Sequence, residues 1–157
     1  MATEVERKFL VATDAWRAGA RGARYCQGYI DTSDDTTVRI RIAGEEAFIT
    51  VKGPTSGITR AEFEYPIPLE DAQAMLRDLC RQPLILKTRY DVPYGGKTWS
   101  VDVFGAENSG LVLAEIELDH PAEQVDLPPW VGQEVTHDPR YRNSALSSEP
   151  IPRPEHA

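Results

Sequence analysis

Charged residues of the same sign occur in pairs at several points along the chain, with a single residue between the two members of each pair. The first pair is Glu4 and Glu6, and Lys8 follows two residues later. The later members of the set are Arg39 and Arg41, Lys52, Glu62 and Glu64, Lys87 and Arg89, Asp102, and Glu115 and Glu117. Clustered lysines and arginines bind multiply charged phosphates, and clustered carboxylates supply the oxygen ligands that Mg²⁺ and Mn²⁺ prefer. Together they predict metal-assisted phosphoryl transfer, in which charge is neutralised as the P–O bond breaks.

This spacing brings the charges of a pair together only if the chain is extended. Side chains of a β-strand alternate between its two faces, so Glu4, Glu6 and Lys8 share one face of a first strand. The residues between them, Val5 to Phe9, include the apolar side chains of the other face. The same alternation recurs in each later pair, which predicts strands with one charged and one apolar face.

The charged faces have two interpretations. For any single strand the simpler one is a solvent-exposed face, because the outer faces of antiparallel sheets are polar. The complete set favours the other, because like charges on one face repel unless metal cations or phosphates neutralise them. We therefore predict that the charged faces point inward and line a hydrophilic tunnel, with the apolar faces packed outward.

Turn and periodicity signals give the elements that carry these charges. Strands are predicted at about 4–10, 24–32, 36–43, 47–52, 58–67, 84–94, 98–104 and 111–119. An apolar stripe at helical spacing predicts a helix at 69–80, and shorter helical segments are predicted at 13–17, 130–135 and 141–146. The predicted fold is α+β and β-dominated: a closed eight-stranded antiparallel β-barrel with a few helices packed outside.

Length and composition set further limits. A chain of 157 residues suits one domain, which we place at residues 1–147, with 148–157 as a flexible C-terminal tail. The net charge of −8 argues against general nucleic-acid binding, but it is compatible with a small anionic substrate. With no apolar run of the roughly 20 residues that span a membrane, no secretory signal and only two cysteines, a cytoplasmic location is expected. A homodimer is left open.

The ordered set of charges resembles the CYTH superfamily, the triphosphate tunnel metalloenzymes. Its hallmark E-x-E-x-K is met by Glu4, Glu6 and Lys8, and the later pairs match its other charged strands in order. The segment 141–146 resembles the family's Y-x-N-x-x-L ending, and the resemblance covers residues 1 to about 147. Short chains of this kind are most similar to inorganic triphosphatases, which cleave tripolyphosphate to pyrophosphate and phosphate.

The resemblance implies a role for each charge and a metal cofactor, Mg²⁺ or Mn²⁺. The phosphate-binding residues would be Lys8, Arg39, Arg41, Lys52, Lys87 and Arg89. The metal-binding residues would be Glu4, Glu6, Glu62, Glu64, Asp102, Glu115 and Glu117, and the catalytic residues Glu4, Glu6, Lys8, Glu115 and Glu117. Three alternatives stay open: a class IV-type adenylate cyclase, a thiamine triphosphatase, and a binding module for polyphosphate or nucleotides that performs no catalysis. Arg60 and Arg142 are interpreted either as residues of the tunnel mouth or as ordinary surface arginines.

Overall fold

Nine strands and two α-helices make up the part of the chain that the computed structural model describes, residues 3–151. The strands are β1 (Thr3–Val11), β2 (Gly22–Ile30), β3 (Thr37–Ala43), β4 (Glu46–Lys52), β5 (Thr59–Pro66), β6 (Ile85–Tyr94), β7 (Lys97–Phe104), β8 (Val112–Glu117) and β9 (Val131–Glu134). The α-helices are α1 (Leu69–Asp78) and α2 (Asn143–Ser148). Short 3₁₀ helices lie at Ala15–Arg17, Ala106–Asn108 and Pro139–Tyr141.

The first eight strands close into an antiparallel barrel. Their order in the sheet is β5-β4-β3-β2-β6-β7-β8-β1, and β1 also pairs with β5 through Thr3–Val5 and Thr59–Ala61, which completes the ring. Closure removes the unpaired sheet edges that would otherwise invite association. The predicted fold is confirmed, with one strand more than expected.

The additional strand, β9, corrects the prediction of a short helix at 130–135. Because β5 pairs only with the first residues of β1, the last residues of β1 have a free edge, and β9 pairs there with Phe9 and Val11. The pairing is extended by the amide of Val135, which donates to the carbonyl of Lys8 at 2.8 Å. A tertiary partner therefore overrides the local sequence preference of this segment.

A tight turn fixes the register of the β6–β7 hairpin. Gly95 and Gly96 both have positive φ, +62° and +80°, as a two-residue type I′ turn requires. The turn sets Tyr94 opposite Lys97 and, five residues back along β6, Arg89 opposite Asp102. Register is thus specified by the turn, and it places an arginine and an aspartate side by side.

The apolar residues lie outside the barrel, in three clusters. One surrounds Trp99 on β1, β7 and β8, a second lies beneath α2, and a third lies beneath α1. At Gly28 on β2 the chain after α1 approaches closely, since a Cβ added there would lie 2.8 Å from the Cβ of Cys80. The predicted outward packing of the apolar faces is confirmed, and the barrel interior is left to the charged faces.

The helix α2 holds the C-terminal part of the described chain against the barrel. Leu146 is fully buried, and the amide of Ile151 donates to Oδ1 of Asn108 at 2.7 Å. The predicted domain limit at residue 147 stays a prediction, and 152–157, the rest of the predicted tail, lie outside the described residues. Within 3–151, neither helix has the length and apolar character needed to cross a membrane.

Candidate active site

The barrel encloses a cavity of about 270 Å³ that is lined almost entirely by polar and charged side chains. Every site residue predicted from the sequence lines it except Asp102: Glu4, Glu6, Lys8, Arg39, Arg41, Lys52, Glu62, Glu64, Lys87, Arg89, Glu115 and Glu117. Period-two alternation on successive strands is what brings these side chains together. The charged faces therefore form the interior of the barrel and not an ordinary outer surface.

Glu4 and Lys52 form an ion pair across the seam where β1 meets the β4–β5 hairpin. The ammonium of Lys52 donates to both carboxylate oxygens of Glu4, at 2.9 and 3.0 Å, and lies 3.4 Å from Glu62. Burial would raise the pKa of Glu4, but the charge and hydrogen bonds of Lys52 outweigh it and lower that pKa. Burial and the adjacent Glu4 raise the pKa of Glu62. One lysine thus neutralises only part of the charge of this acidic pair.

Glu6 lies among other carboxylates. In the pairing of β1 with β8 its direct partner is Glu117, and Lys8 is opposite Glu115. Burial, followed by the charges of Glu115 and Glu4, raises the pKa of Glu6 to about 8. Within residues 3–151 its carboxylate has no salt bridge. A cation bound at Glu6 would therefore offset both its burial and the neighbouring negative charges.

Glu115 differs from Glu6 because cations surround it. Its carboxylate lies 3.6 Å from Lys8 and 3.4 Å from Arg89. Burial acts to raise the pKa of Glu115, but Lys8, Arg89 and Lys87 together hold it well below its usual value. The surroundings therefore raise the pKa of Glu6 on β1 and lower the pKa of Glu115 on the neighbouring β8.

Asp102 is buried behind the cavity wall between two bases of the predicted phosphate site. Its oxygens accept hydrogen bonds from Lys87 at 2.7 Å and from Arg89 at 2.7 and 2.8 Å. Burial opposes ionisation of Asp102, but both cations lower its pKa. Burial, Arg89 and Arg41 lower the pKa of Lys87 to about 7, against the pull of Asp102. This geometry favours orientation of Lys87 and Arg89, and the metal-ligand role of Asp102 stays a prediction.

Arg39 and Arg41 present guanidinium groups that carboxylates neutralise only weakly or not at all. Arg39 lies 3.3 Å from Glu64, and its Nε is buried with no hydrogen-bond partner among residues 3–151. Arg41 donates its Nε to the uncharged Gln27 at 2.7 Å and stacks on the ring of Tyr25, 4.8 Å away. Burial and then Arg39 lower the pKa of Arg41 to about 10. Both arginines retain donors and charge for an anion.

Sequence reasoning missed two uncharged residues of the site: Asn143, which lines the cavity, and Gln27, which is buried behind its wall. Gln27 is fully buried and donates to Oδ1 of Asn143 at 3.0 Å, and the same oxygen accepts from Lys87 at 2.9 Å. A signal was present for both: Gln27 alternates with Tyr25 and Tyr29, and Asn143 is the asparagine of the Y-x-N-x-x-L segment.

The cavity is also lined by Arg60 and Arg142, which the sequence left ambiguous. Arg60 donates to the carbonyl of Gly53 at 3.0 Å and to Thr37 at 3.4 Å. Burial lowers the pKa of Arg60, with Arg142 contributing. Both arginines also line a neighbouring pocket, so they lie where the two meet.

The donor set fits a divalent cation in its chemistry. No three His, Cys, Asp or Glu side chains of residues 3–151 converge as a metal cluster, because Lys52 holds Glu4 and two cations hold Glu115. Mg²⁺, however, is usually bound by one or two carboxylates together with substrate phosphates and water. Glu6 and Glu117 can supply those carboxylates.

Comparisons with known proteins agree with this geometry. A family model described as the CYTH domain matches residues 2–150. The chain is 47% identical over 150 residues to an inorganic triphosphatase of Acetivibrio thermocellus, covering 96% of each chain. It is 39% identical over 150 residues to an inorganic triphosphatase of Nitrosomonas europaea, covering 92% of this chain and 97% of that one.

A solved structure gives the same result in three dimensions. The crystal structure of an inorganic triphosphatase superimposes with a TM-score of 0.68 at 36% identity, covering 98% of this chain and 99% of the other. The family match spans nearly the whole chain, and both curated relatives are well above 30% identity. The chain therefore belongs to the CYTH family.

Proposed function

We propose that the protein is a metal-dependent inorganic triphosphatase, which hydrolyses tripolyphosphate to pyrophosphate and phosphate inside the barrel. One observation carries the proposal: incompletely neutralised cations and unpaired carboxylates face one another in a single enclosed cavity. The two curated relatives both have the name inorganic triphosphatase, which supports the same substrate class.

The cations would bind the phosphate chain. Arg39 and Arg41 offer planar forks that match phosphate oxygens, whereas Lys8, Lys52 and Lys87 act as point charges. Lys8 illustrates the arrangement, since its ammonium donates to the uncharged carbonyl of Tyr141 at 3.0 Å and is only 3.6 Å from Glu115. Such donors, fixed in advance, stabilise charge that develops on the phosphates as the bond breaks.

The carboxylates would bind the metal and orient the attacking water. Glu6 and Glu117 are the strongest candidates for metal ligands, because no cation of residues 3–151 forms a salt bridge with either. When bound, Mg²⁺ or Mn²⁺ supplies charge neutralisation at the phosphate oxygens. Glu4, Glu62 and Glu64 are ion-paired with Lys52 or Arg39 and would join the site by exchanging those partners.

A substrate panel tests the proposal. Wild-type protein is incubated with tripolyphosphate, ATP or thiamine triphosphate, each with Mg²⁺, with Mn²⁺ and with EDTA. We expect pyrophosphate and phosphate from tripolyphosphate, far faster than any release from the other two, and no turnover in EDTA. Equal or faster turnover of ATP would overturn the proposed substrate.

The same panel separates the alternatives. Cyclic AMP and pyrophosphate formed from ATP without free phosphate would indicate a cyclase. Binding of tripolyphosphate without turnover under any metal would indicate a binding module. The complete set of carboxylates argues against the latter, since retention of a polyanion alone needs mainly bases.

Location and assembly complete the proposal. The cytoplasm is the proposed location, and Cys26 and Cys80 support it because both are free thiols. A homodimer stays an open alternative, which size-exclusion chromatography with light scattering would resolve.

A further inference from the structure

Gln27 and Asn143 are two uncharged side chains that accept hydrogen bonds from cations of the candidate site. We infer that they are positioning residues for Arg41: Gln27 fixes its guanidinium through a neutral acceptor and Asn143 fixes Gln27, so that the positive charge of Arg41 stays available to the substrate. The inference rests on the proposed function, since it concerns affinity for a triphosphate.

Gln27 uses its whole amide within the barrel wall. Its Oε1 accepts from Nε of Arg41 at 2.7 Å, and its Nε2 donates to Asn143 at 3.0 Å and to the hydroxyl of Tyr29 at 3.3 Å. The side chain is fully buried. Every polar atom of this amide is satisfied, so its orientation is fixed and the direction of Arg41 with it.

Asn143 fixes Gln27 from the C-terminal segment and also contacts Lys87, whose ammonium Asp102 holds at 2.7 Å. The Oδ1 of Asn143 accepts from the ammonium of Lys87 at 2.9 Å and from Gln27 at 3.0 Å. Two residues earlier, the backbone carbonyl of Tyr141 accepts from Lys8 at 3.0 Å. The segment 141–143 therefore orients two lysines of the cavity without contributing a negative charge to either contact.

The contrast with other cations of the cavity explains the use of amides. Lys52 is held by Glu4 at 2.9 Å, and Lys87 and Arg89 are both held by Asp102 at 2.7 Å, so carboxylates already offset much of the charge of these cations before substrate arrives. A carboxylate at position 27 would orient Arg41 equally well but would also repel a phosphate. An amide orients Arg41 without repelling the phosphate, because it accepts a hydrogen bond and carries no net charge.

The contacts that anchor α2 keep Asn143 in place. Leu146 packs beneath the helix, Asn108 donates to the carbonyl of Leu146 at 3.2 Å, and Arg81 donates to the carbonyl of Ser144 at 3.0 Å. None of these three residues lines the cavity around Lys87 and Arg41. Asn108 therefore offers a matched control, which perturbs α2 without touching the cations.

The test compares charge with shape at position 27. Gln27→Glu keeps the size of the side chain and an acceptor for Arg41 but adds a negative charge, whereas Gln27→Met keeps the size and removes the hydrogen bonds. We expect Gln27→Glu to raise KM for tripolyphosphate by about tenfold or more, and by more than Gln27→Met does. Asn143→Asp should raise KM in the same way. Asn108→Ala should lower thermal stability with KM unchanged.

Two results would overturn the inference. One is a KM for Gln27→Glu at or below that of Gln27→Met, which a purely structural role predicts because Glu preserves more of the native contacts. The other is a KM for Asn108→Ala raised in proportion to its loss of stability. Calorimetric titration with tripolyphosphate in EDTA repeats the comparison as affinities. If the wild type proves to have no turnover, the proposed function fails while this titration still decides the positioning role.

Discussion

Glu6 is the direct cross-strand neighbour of Glu117, so two carboxylates face each other between β1 and β8. Like charges in that relationship destabilise a sheet. Burial and the charges of Glu115 and Glu4 add to the cost and raise the pKa of Glu6 to about 8. A divalent cation at Glu6 would remove the repulsion, and this gives the position a distinct set of expected properties.

Glu6→Gln should abolish metal-dependent turnover while leaving the fold intact. The amide removes a metal ligand and also removes the repulsion, so we expect turnover of tripolyphosphate to fall about 100-fold or more without loss of stability. Phosphate release measured over a titration of Mg²⁺ or Mn²⁺ checks this. Glu45→Gln, in the exposed β3–β4 turn, is the control and should behave as wild type. Full activity of Glu6→Gln at saturating metal would remove Glu6 from the metal site.

The stability of the metal-free protein should depend on pH through Glu6. Because its pKa in the folded state, about 8, lies above the ordinary 4.5, the folded protein retains a proton that the unfolded chain releases between these values. The contribution of protonated Glu6 to the stability of the folded protein is therefore fully present below pH 4.5 and is lost as the pH rises to about 8. Lys87 has the opposite effect at higher pH. Its pKa is lowered from 10.5 to about 7, so its effect is that the folded protein becomes more stable as the pH rises between these values.

The difference between wild type and Glu6→Gln isolates the effect of Glu6. Urea unfolding without metal should show the wild type losing stability relative to Glu6→Gln from mildly acidic pH to pH 8, with no further change above. Mg²⁺ at pH 8 should stabilise the wild type and have little effect on the variant. If the difference in stability between wild type and Glu6→Gln did not change with pH, Glu6 would be ionised over the whole range.

Asp102→Asn should destabilise the protein strongly. Both side chains of the Lys87–Asp102 pair are essentially buried, at 1% and 0% exposure, and Arg89 shares the carboxylate. Removing one partner leaves uncompensated buried charge, which typically costs about 3–5 kcal/mol. Thermal and urea denaturation measure the loss, and Asp91→Asn, exposed on the same hairpin, should change stability by less than about 0.5 kcal/mol.

The Asp102 variant also decides between two roles. As an orienting group, Asp102 should affect stability and the affinity for tripolyphosphate. As a metal ligand, predicted by the family resemblance, it should affect the metal concentration needed for half-maximal activity while stability changes little. Normal stability with a raised metal requirement would therefore contradict the orienting role.

Period-two spacing predicted the inner face of the barrel because alternation along a strand is a local property. The position of Asp102 was also encoded locally. The two-residue turn at Gly95 and Gly96 fixes the register of β6 and β7, and counting outwards from it places Arg89 opposite Asp102. The sequence therefore encoded the ion pair of Arg89 and Asp102. From the sequence, however, Asp102 was interpreted only as a metal ligand in the cavity.

Contacts made by barrel closure could not be predicted in this way. Glu4 and Lys52 meet only because β1 pairs with β5, and Glu6 meets Glu117 across 111 positions of the chain numbering. The sequence therefore treated Glu4 and Glu6 as equivalent, whereas their surroundings lower one pKa and raise the other. The strand β9 was missed for the same reason, since its pairing edge on β1 exists only in the closed barrel.

Leu146→Ala should weaken the fold and leave substrate binding unchanged. Leu146 is fully buried beneath α2, and its truncation should cost about 2–5 kcal/mol. Because Arg81 still donates to the carbonyl of Ser144 at 3.0 Å, Asn143 at the start of the same helix should keep its contact with Lys87, and KM for tripolyphosphate should not change. Urea unfolding and steady-state kinetics at a temperature where the variant is folded measure stability and KM, with Leu127→Ala, 48% exposed, as the control. A KM raised severalfold in the folded variant would show that Arg81, through its 3.0 Å hydrogen bond to Ser144, does not hold the start of α2 without help from Leu146.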